Sequence, residues 1–210
     1  YVLTATAPET KDNDFTWKDF QARNNNELVA IFGNFINRVV VLTNKYYQGI
    51  VPAPDEFSAE DTAALNAIQS YPNILSSSIE RYRFREASQE LMNLARLGNK
   101  YLADAEPWKV VKTDPERVQT IMYVALQISA ALAVVSEPLL PWSSQKLKTM
   151  LNLDALSWAD IESRGSLLKS SHQIGEAHLL FAKIEDSEVE FQLEKLAKSK
   201  LANEIANKEI

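Results

Sequence analysis

The feature that most constrains the fold is the window from Ile121 to Val135, in which 13 of 15 residues are apolar. Gln127 and Ser129 interrupt this run, which is also shorter than the roughly 20 apolar residues that a membrane-spanning helix needs. A segment this apolar has almost no polar face to turn toward water, so it predicts a helix buried at the centre of a bundle. We expect no membrane partner for this chain.

The rest of the sequence favours the all-α class. The chain has five glycines, and strand-like alternation with hairpin turns does not appear before its last third. The first long helix is predicted from Thr16 to Tyr47, because its apolar residues recur at spacings of three and four, as in an antiparallel bundle. The apolar seam of this helix consists of Leu28, Phe32, Phe35, Val39, Leu42 and Tyr46.

Four further helices complete the predicted bundle. They span about Ser58 to Gln69, Ile74 to Leu102, Pro115 to Ser136 and Ser143 to Leu151. Ser58 and Asp61 have the spacing of a capping box, and Asp114 before Pro115 marks another helix start. Pro72 is expected to end one helix before the next begins, because proline lacks the backbone N–H that a helix interior uses.

The helical pattern loosens after residue 151. One short helix is predicted from Ala155 to Arg164, and His178 to Ala182 is predicted to be an extended segment that docks apolar side chains. From Glu185 onward we expect a highly charged helix with a thin apolar stripe. That stripe consists of Val189, Leu193, Leu196 and Leu201.

Composition excludes several kinds of site. The chain has no cysteine and only two histidines, His172 and His178, so disulfides and thiolate metal sites are excluded and we expect no metal ion. Glycine-rich phosphate loops, zinc-binding helix motifs and serine-nucleophile motifs are also absent from the sequence. We therefore expect no catalytic residue here and interpret the chain as a binding or structural module, with a composition that fits the reducing cytoplasm.

The charge of the chain is unevenly distributed. The total is −6, which argues against a surface that binds nucleic acid everywhere. However, Thr16 to Gln48 and Arg81 to Arg117 each carry two more basic than acidic residues. If these two segments lie side by side, they form a surface that tolerates phosphate groups. The alternative is that both are ordinary solvated helix faces.

A tryptophan follows a proline in a connection between two predicted helices, within Ala105 to Lys109. Pro107 ends the preceding helix and restricts the residue before it, so Trp108 is expected at the edge of the connection. An accessible indole can stack on an unpaired nucleobase, a contact that contributes about 1 to 3 kcal/mol. The alternative is that Trp108 simply caps the core between the two helices.

A polar pair on the first helix suits the same kind of ligand. Asn34 and Arg38 are four residues apart and project from one face, about 100° from the apolar seam. An amide and a guanidinium together offer the donors and the acceptor that the edge of a nucleobase requires. The same spacing also occurs on ordinary exposed helices, and that interpretation stays open.

Several ordered blocks of the sequence resemble the anticodon-binding domain of methionyl-tRNA synthetases. The blocks that carry the candidate residues are Gly33 to Arg38 and Glu106 to Trp108. Other similar blocks extend the resemblance over nearly the whole chain: Ala7 to Phe20, Tyr82 to Ala87, Asn99 to Tyr101, and Leu180 to Asp186. The resemblance implies an antiparallel helix bundle of the class I aminoacyl-tRNA synthetase type, with a C-terminal extended segment and a charged helix.

In that family the helical domain recognises the CAU anticodon of methionine tRNA. The resemblance implies that Trp108 stacks on an anticodon base and that Pro107 shapes the loop around it. It also implies that Asn34 and Arg38 contact the first anticodon base. The expected partner is therefore the anticodon stem-loop of methionine tRNA.

The resemblance further implies a longer protein, a methionine-tRNA ligase of the cytoplasm. Its catalytic domain would precede Tyr1 and would bind ATP, methionine and any zinc, so this fragment alone is expected to be inactive and without a cofactor. We predict a connecting segment from that domain at 1–15, a helical bundle at 16–151, and a C-terminal extension at 152–210. The extension is expected to pack on the bundle and to end in a charged helix or linker.

Two alternatives remain at this stage. Related class I synthetases for other aliphatic amino acids or for cysteine carry a similar bundle, although the combination of Asn34 and Arg38 with Pro107 and Trp108 favours methionine. The other alternative is a structural or protein-interaction bundle, in which Trp108 belongs to the core and the polar pair faces a protein partner.

Overall fold

Helices account for most of the chain. The computed structural model describes residues 1–10, 12–153, 155–163 and 165–206, with side chains described through residue 200. In chain order the helical segments are α1 (Val2–Ala5), α2 (Trp17–Arg23), a π-helical stretch (Asn24–Gly33), α3 (Asn34–Tyr47), α4 (Ala59–Glu80), α5 (Phe84–Ala105), α6 (Pro107–Val110), α7 (Pro115–Val135), α8 (Pro141–Met150), α9 (Trp158–Ser163) and α10 (Asp186–Ala206). The described residues form no β-strand beyond one isolated bridge, so the all-α prediction is confirmed.

The most apolar helix, α7, lies at the centre of the fold. Every residue from Thr120 to Val135 is buried, and the helix packs against α3, α4, α5 and α8. By length and composition α7 could cross a membrane, but 94% of its most apolar window is buried inside the fold. Its start is the predicted cap, because the Asp114 carboxylate accepts a hydrogen bond from the backbone N–H of Arg117 at 2.9 Å. The predicted buried central helix is therefore confirmed.

The first helix, made of α2, the π-helical stretch and α3, is continuous as predicted. The Thr16 side chain caps its start by accepting a hydrogen bond from the backbone N–H of Asp19 at 3.1 Å. The ten residues of the π-helical stretch are a finding that the apolar spacing did not predict. Gln48, with a φ of 55°, and Gly49, with a φ of 78°, follow the end of the helix and turn the chain.

The predicted helix break at Pro72 is wrong. Helix α4 continues through this proline, and the chain instead reverses just beyond Glu80, where Tyr82 adopts a φ of 60°. The buried face of α4 keeps its spacing of three and four on both sides of the proline: Asp61, Ala64, Ile68, Tyr71, Leu75 and Ser78. A proline inside a helix costs about 3 kcal/mol, and burial of several large side chains at about 1.5 to 3 kcal/mol each outweighs it.

The first helix and α5 run in the same direction and approach each other closely. Gly98 makes this approach possible, because a Cβ atom at that position would lie only 2.5 Å from the buried ring of Phe35. Further along both helices, Arg38 reaches Trp108, just beyond the end of α5. The two segments that carry local positive charge therefore lie side by side, as a phosphate-tolerant surface would require.

The C-terminal part of the chain contacts the bundle at several points. An antiparallel bridge joins Ile50 to Gln173, and further along the extended segment the ring of Phe181 packs against that of Phe32 with centroids 5.6 Å apart. The backbone N–H of Ile184 donates to the amide oxygen of Asn25 at 2.9 Å. Asparagine side chains at the start of the π-helical stretch thus hold this segment in place.

Helix α10 confirms the predicted charged helix, and its apolar stripe is only partly covered. Val189 is buried, whereas Leu193 and Leu196 are exposed. Leu201, the last residue of the predicted stripe, and Arg164, at the end of the predicted short helix, lie outside the described side chains. The division of the chain at residues 15 and 151 stays a prediction, although Val2 of the expected connecting segment is buried and α1 packs on α5.

Candidate nucleic-acid interface

The connection between α5 and α7 presents the candidate tryptophan. Glu106 ends α5 with a φ of 42°, and Pro107 then occupies the first position of the short helix α6, where its missing N–H has no cost. Pro107 is buried, Trp108 is partly buried, and Lys109 pairs with Glu106 at 2.7 Å. The sequence prediction that Trp108 lies in the connection, outside any long helix, is confirmed.

Arg38 of the first helix lies over this tryptophan. The Cζ atom of its guanidinium is 4.5 Å from the centroid of the Trp108 ring, which is a cation–π contact. The two residues are 70 positions apart in the sequence, and the parallel packing of the first helix with α5 brings them together. A cation over one face of an indole fixes the ring and leaves guanidinium N–H groups at its border.

Asn34 lies one helical turn before Arg38 on the same exposed face. Its amide nitrogen donates to the side-chain oxygen of Asn99 at 3.2 Å. Asn99 is itself fixed, because its amide nitrogen donates to the carbonyl oxygens of Ile31 at 2.8 Å and Ala95 at 3.1 Å. Among the described residues no donor reaches the side-chain oxygen of Asn34, which is oriented and available as an acceptor.

A buried ionic cluster holds both ends of the connection that carries Trp108. The Asp61 carboxylate is fully buried and accepts hydrogen bonds from Tyr101 Oη at 2.5 Å and from Arg117 Nη2 at 2.9 Å. A second bond from Arg117 and one from the backbone N–H of Ser58, at 2.9 Å, complete its shell. Since Tyr101 precedes the connection and Arg117 follows it, the cluster ties the connection to the start of α4.

Burial and hydrogen bonding oppose each other at this carboxylate. Burial by itself raises the pKa of Asp61, but the hydrogen bonds from Arg117 and Tyr101 outweigh it, and the pKa lies below its usual value. Burial and the adjacent carboxylate raise the pKa of Tyr101. Asp61 is therefore ionised, Tyr101 is a neutral donor, and the cluster consists of one satisfied anion with one cation.

The structure brings the four candidate residues together at one edge of the bundle. Arg38 contacts Trp108 directly, Pro107 is buried beneath the loop, and Asn34 lies on the same face one turn away. Local sequence patterns did not identify the role of Asn99, which orients Asn34, or the cluster around Asp61. The capping box identified Asp61 as a helix-start residue, but its acidic group also serves the distant Tyr101 and Arg117, which no local pattern predicts.

One of the two histidines contacts the backbone of the bundle. The Nε2 atom of His172 lies 2.8 Å from the carbonyl oxygen of Leu151. Within the described part of the chain, no group of three or more histidine, aspartate or glutamate residues could hold a metal ion.

Comparison with protein families gives two matches that together cover most of the chain. Residues 51–200 match the family described as the anticodon binding domain of methionyl tRNA ligase. Residues 1–40 match the family described as tRNA synthetases class I (M). The second match includes Asn34 and Arg38, and the first includes Pro107 and Trp108.

Similar proteins carry the name methionine–tRNA ligase. One from Flavobacterium psychrophilum is 65% identical over 209 residues, which cover 99% of this chain and 30% of that protein. Another, from Christiangramia forsetii, is 67% identical over 209 residues, which cover 97% of this chain and 30% of that protein. The chain thus spans about a third of the length of these curated relatives.

The fold also matches a solved structure. The apo form of Mycobacterium tuberculosis methionyl-tRNA synthetase superposes with a TM-score of 0.81 at 22% sequence identity. The match covers 88% of this chain and 38% of that one. At this identity the likeness supports the fold, a helical bundle that forms part of a longer chain.

Proposed function

Because the chain belongs to the family of anticodon-binding domains of methionyl tRNA ligases, we propose that it recognises the CAU anticodon of methionine tRNA. The longer protein ligates methionine to that tRNA with ATP, in the cytoplasm, and its catalytic domain binds ATP and any zinc. This chain supplies the RNA-binding surface. Its partners are the anticodon stem-loop and the catalytic domain of the same protein.

The observation that carries the proposal is the stack of Arg38 on Trp108. An unpaired anticodon base stacks on the accessible part of the indole, which contributes about 1 to 3 kcal/mol for each stacked base. Pro107 and the Asp61 cluster hold the ring in one place before RNA arrives, so little conformational freedom is lost on binding. Trp108 therefore supplies affinity that does not depend strongly on which base is stacked.

Asn34 and Arg38 supply the discrimination at the first anticodon base. Cytosine presents an N4 amino donor, whereas uracil presents a carbonyl acceptor at the same position. The unused side-chain oxygen of Asn34 accepts a hydrogen bond from the cytosine amino group, and it repels the uracil carbonyl. Arg38 donates N–H groups to the acceptors on the remaining edge of the base.

Binding of two RNA stem-loops to the unmodified chain tests this proposal. One carries the CAU anticodon, the other carries UAU, and both are measured at the same stated salt concentration. A well-formed base contact discriminates by about 1 to 3 kcal/mol, so CAU binds about tenfold to a hundredfold more tightly. Equal affinity for the two stem-loops contradicts base recognition by this chain.

A further inference from the structure

A small positively charged pocket lies away from the candidate interface, where the first helix meets the start of α5. Its cavity has a volume of about 270 Å³. Three arginines line it, Arg23, Arg85 and Arg96, together with a single acidic residue, Glu27. In an acidic chain of net charge −6, three guanidinium groups around one cavity are an unusual concentration of positive charge.

The first-helix side of the pocket is largely neutralised within the protein. Arg23 Nε donates to the Asp19 carboxylate at 2.9 Å. The Glu27 carboxylate accepts a hydrogen bond from the Tyr1 hydroxyl, whose pKa is raised by burial and by this carboxylate. Arg23 and Glu27 are therefore already engaged with partners inside the protein and mainly line one side of the cavity.

The α5 side of the pocket keeps its charge available. The Arg85 guanidinium forms no ion pair with any described residue, and only the backbone N–H of Arg85 is occupied, by the Glu9 carboxylate at 2.8 Å. Arg96 donates to the neutral amide oxygen of Asn93 at 3.0 Å and forms no ion pair in the described part of the chain either. Two guanidinium groups thus face an open cavity with hydrogen-bond donors to spare.

We propose that Arg85 and Arg96, backed by Arg23, form a binding pocket for a phosphate group of the RNA backbone, separate from the base-reading surface. The inference rests on the proposed function for the identity of the RNA. Guanidinium groups present paired N–H donors that match the spacing of phosphate oxygens. Two such groups bind most strongly to an anion that carries several acceptor oxygens. A phosphate group has these properties and fits within the volume of the cavity.

The pocket and the candidate interface lie along one edge of the protein. On α5 the exposed or partly exposed residues of this edge recur at spacings of four, seven and three: Arg85, Gln89, Arg96 and Asn99. Asn99 in turn contacts Asn34 of the candidate interface. Helical rise puts Arg85 about 30 Å from the end of α5, next to Trp108. An RNA stem whose loop reaches Trp108 can therefore carry its backbone along this edge to the pocket.

The salt dependence of binding distinguishes this pocket from the base-reading surface. Arg85→Gln and Arg96→Gln are combined in the protein that carries this chain, and Kd is measured for methionine tRNA with a CAU and with a UAU anticodon. Lys146→Gln combined with Lys169→Gln, at two exposed positions away from the pocket, is the control because it also removes two positive charges. At low salt the double variant binds both RNAs about tenfold more weakly than the unmodified protein. The slope of log K against log salt falls by about one for each phosphate group that the protein no longer neutralises.

The ratio of the two affinities stays unchanged in the double variant, because a phosphate contact carries no base information. Arg85→Lys, which keeps the charge, retains most of the salt slope and confirms that the effect is electrostatic. A salt slope equal to that of the double lysine control overturns the pocket, and so does a loss of binding confined to the CAU anticodon. If the unmodified protein fails to distinguish CAU from UAU while the slope still changes, the phosphate pocket stands and the proposed base recognition fails.

Discussion

Two helices of this protein begin with the same dipeptide, and their tryptophans have different surroundings. Pro107 and Trp108 open α6, and Pro141 and Trp142 open α8. Trp142 is 82% exposed and lies in an apolar groove, whereas Trp108 is partly buried beneath the Arg38 guanidinium. The shared dipeptide does not account for this difference, because the tertiary structure places Arg38 across only one of the two rings.

Trp108 lies in a loop that is held at both ends and has a cationic neighbour over its ring. The loop of Trp108 is tied at both ends to Asp61, through Tyr101 and Arg117, and Arg38 holds the ring itself. No cation lies over Trp142 among the described residues. Of the two tryptophans, Trp108 is therefore the one with a cation over its ring, in a loop tied at both ends, as the proposed base stacking requires.

The largest effect is expected on the free energy of unfolding, when Asp61, which holds the loop of Trp108, is replaced. Asp61→Ala leaves Arg117 and Tyr101 without their buried partner, and breaking a buried ion pair costs about 3 to 5 kcal/mol of the free energy of unfolding. Urea unfolding followed by far-UV circular dichroism measures the loss. Asn66→Ala, at an exposed position of the same helix, changes stability by about 0.5 kcal/mol or less. Equal stability of the two variants contradicts the anchoring role of Asp61.

Removing each tryptophan in turn tests whether Trp108 and Trp142 differ in RNA binding. Trp108→Ala weakens binding of a CAU stem-loop by about 1 to 3 kcal/mol, or about tenfold to a hundredfold, because a base loses its stacking partner. Trp142→Ala leaves the affinity unchanged. Binding titrations at one salt concentration measure both. If the two variants bind equally well, Trp108 has no role in stacking and the proposed difference between the regions disappears.

A smaller effect is expected from replacing Asn34, the polar residue near Trp108 that is proposed to contact the first anticodon base. Asn34→Ala removes one base contact, so the preference for CAU over UAU falls by about 1 kcal/mol, while binding to UAU changes little. Asn37→Ala, three residues along the same helix, is the matched control and keeps the preference. The ratio of the two Kd values is the quantity to compare. Equal losses on both RNAs from Asn34→Ala indicate a structural role for this residue.

The smallest expected effect is a loss of stability at low pH, which depends on the protonation of Asp61. Since the folded pKa of Asp61 is below its unfolded value, its contribution to stability is present above pH about 4 and is lost as pH falls through the folded pKa. The urea midpoint of the unmodified chain therefore falls more steeply below pH 4 than that of Asp61→Asn, which carries no titrating group there. Parallel curves for the two proteins contradict ionic anchoring at this position.

Much of the fold was predictable from local patterns. The apolar window around Ile121, the seam of the first helix and the capping box at Ser58 each fix a helix, because helical periodicity and end capping depend on residues close in sequence. The helix break predicted at Pro72 was wrong because the outcome there depends on residues that are distant in sequence. Its local cost is real, but the buried face of α4 extends across it, and only packing against distant helices decides the balance.

Local sequence patterns predicted most of the helices, the central position of α7 and the place of Trp108 in its connection, but not the course of α4 through Pro72. Tertiary structure alone decided which residues meet. It placed Arg38 over Trp108 but left Trp142 in the open, it joined Asp61 to Arg117, and it gathered three arginines around one pocket. The physical reason is that helices depend on neighbours within about four residues, whereas a site depends on contacts between helices whose positions are set by the packing of the whole core.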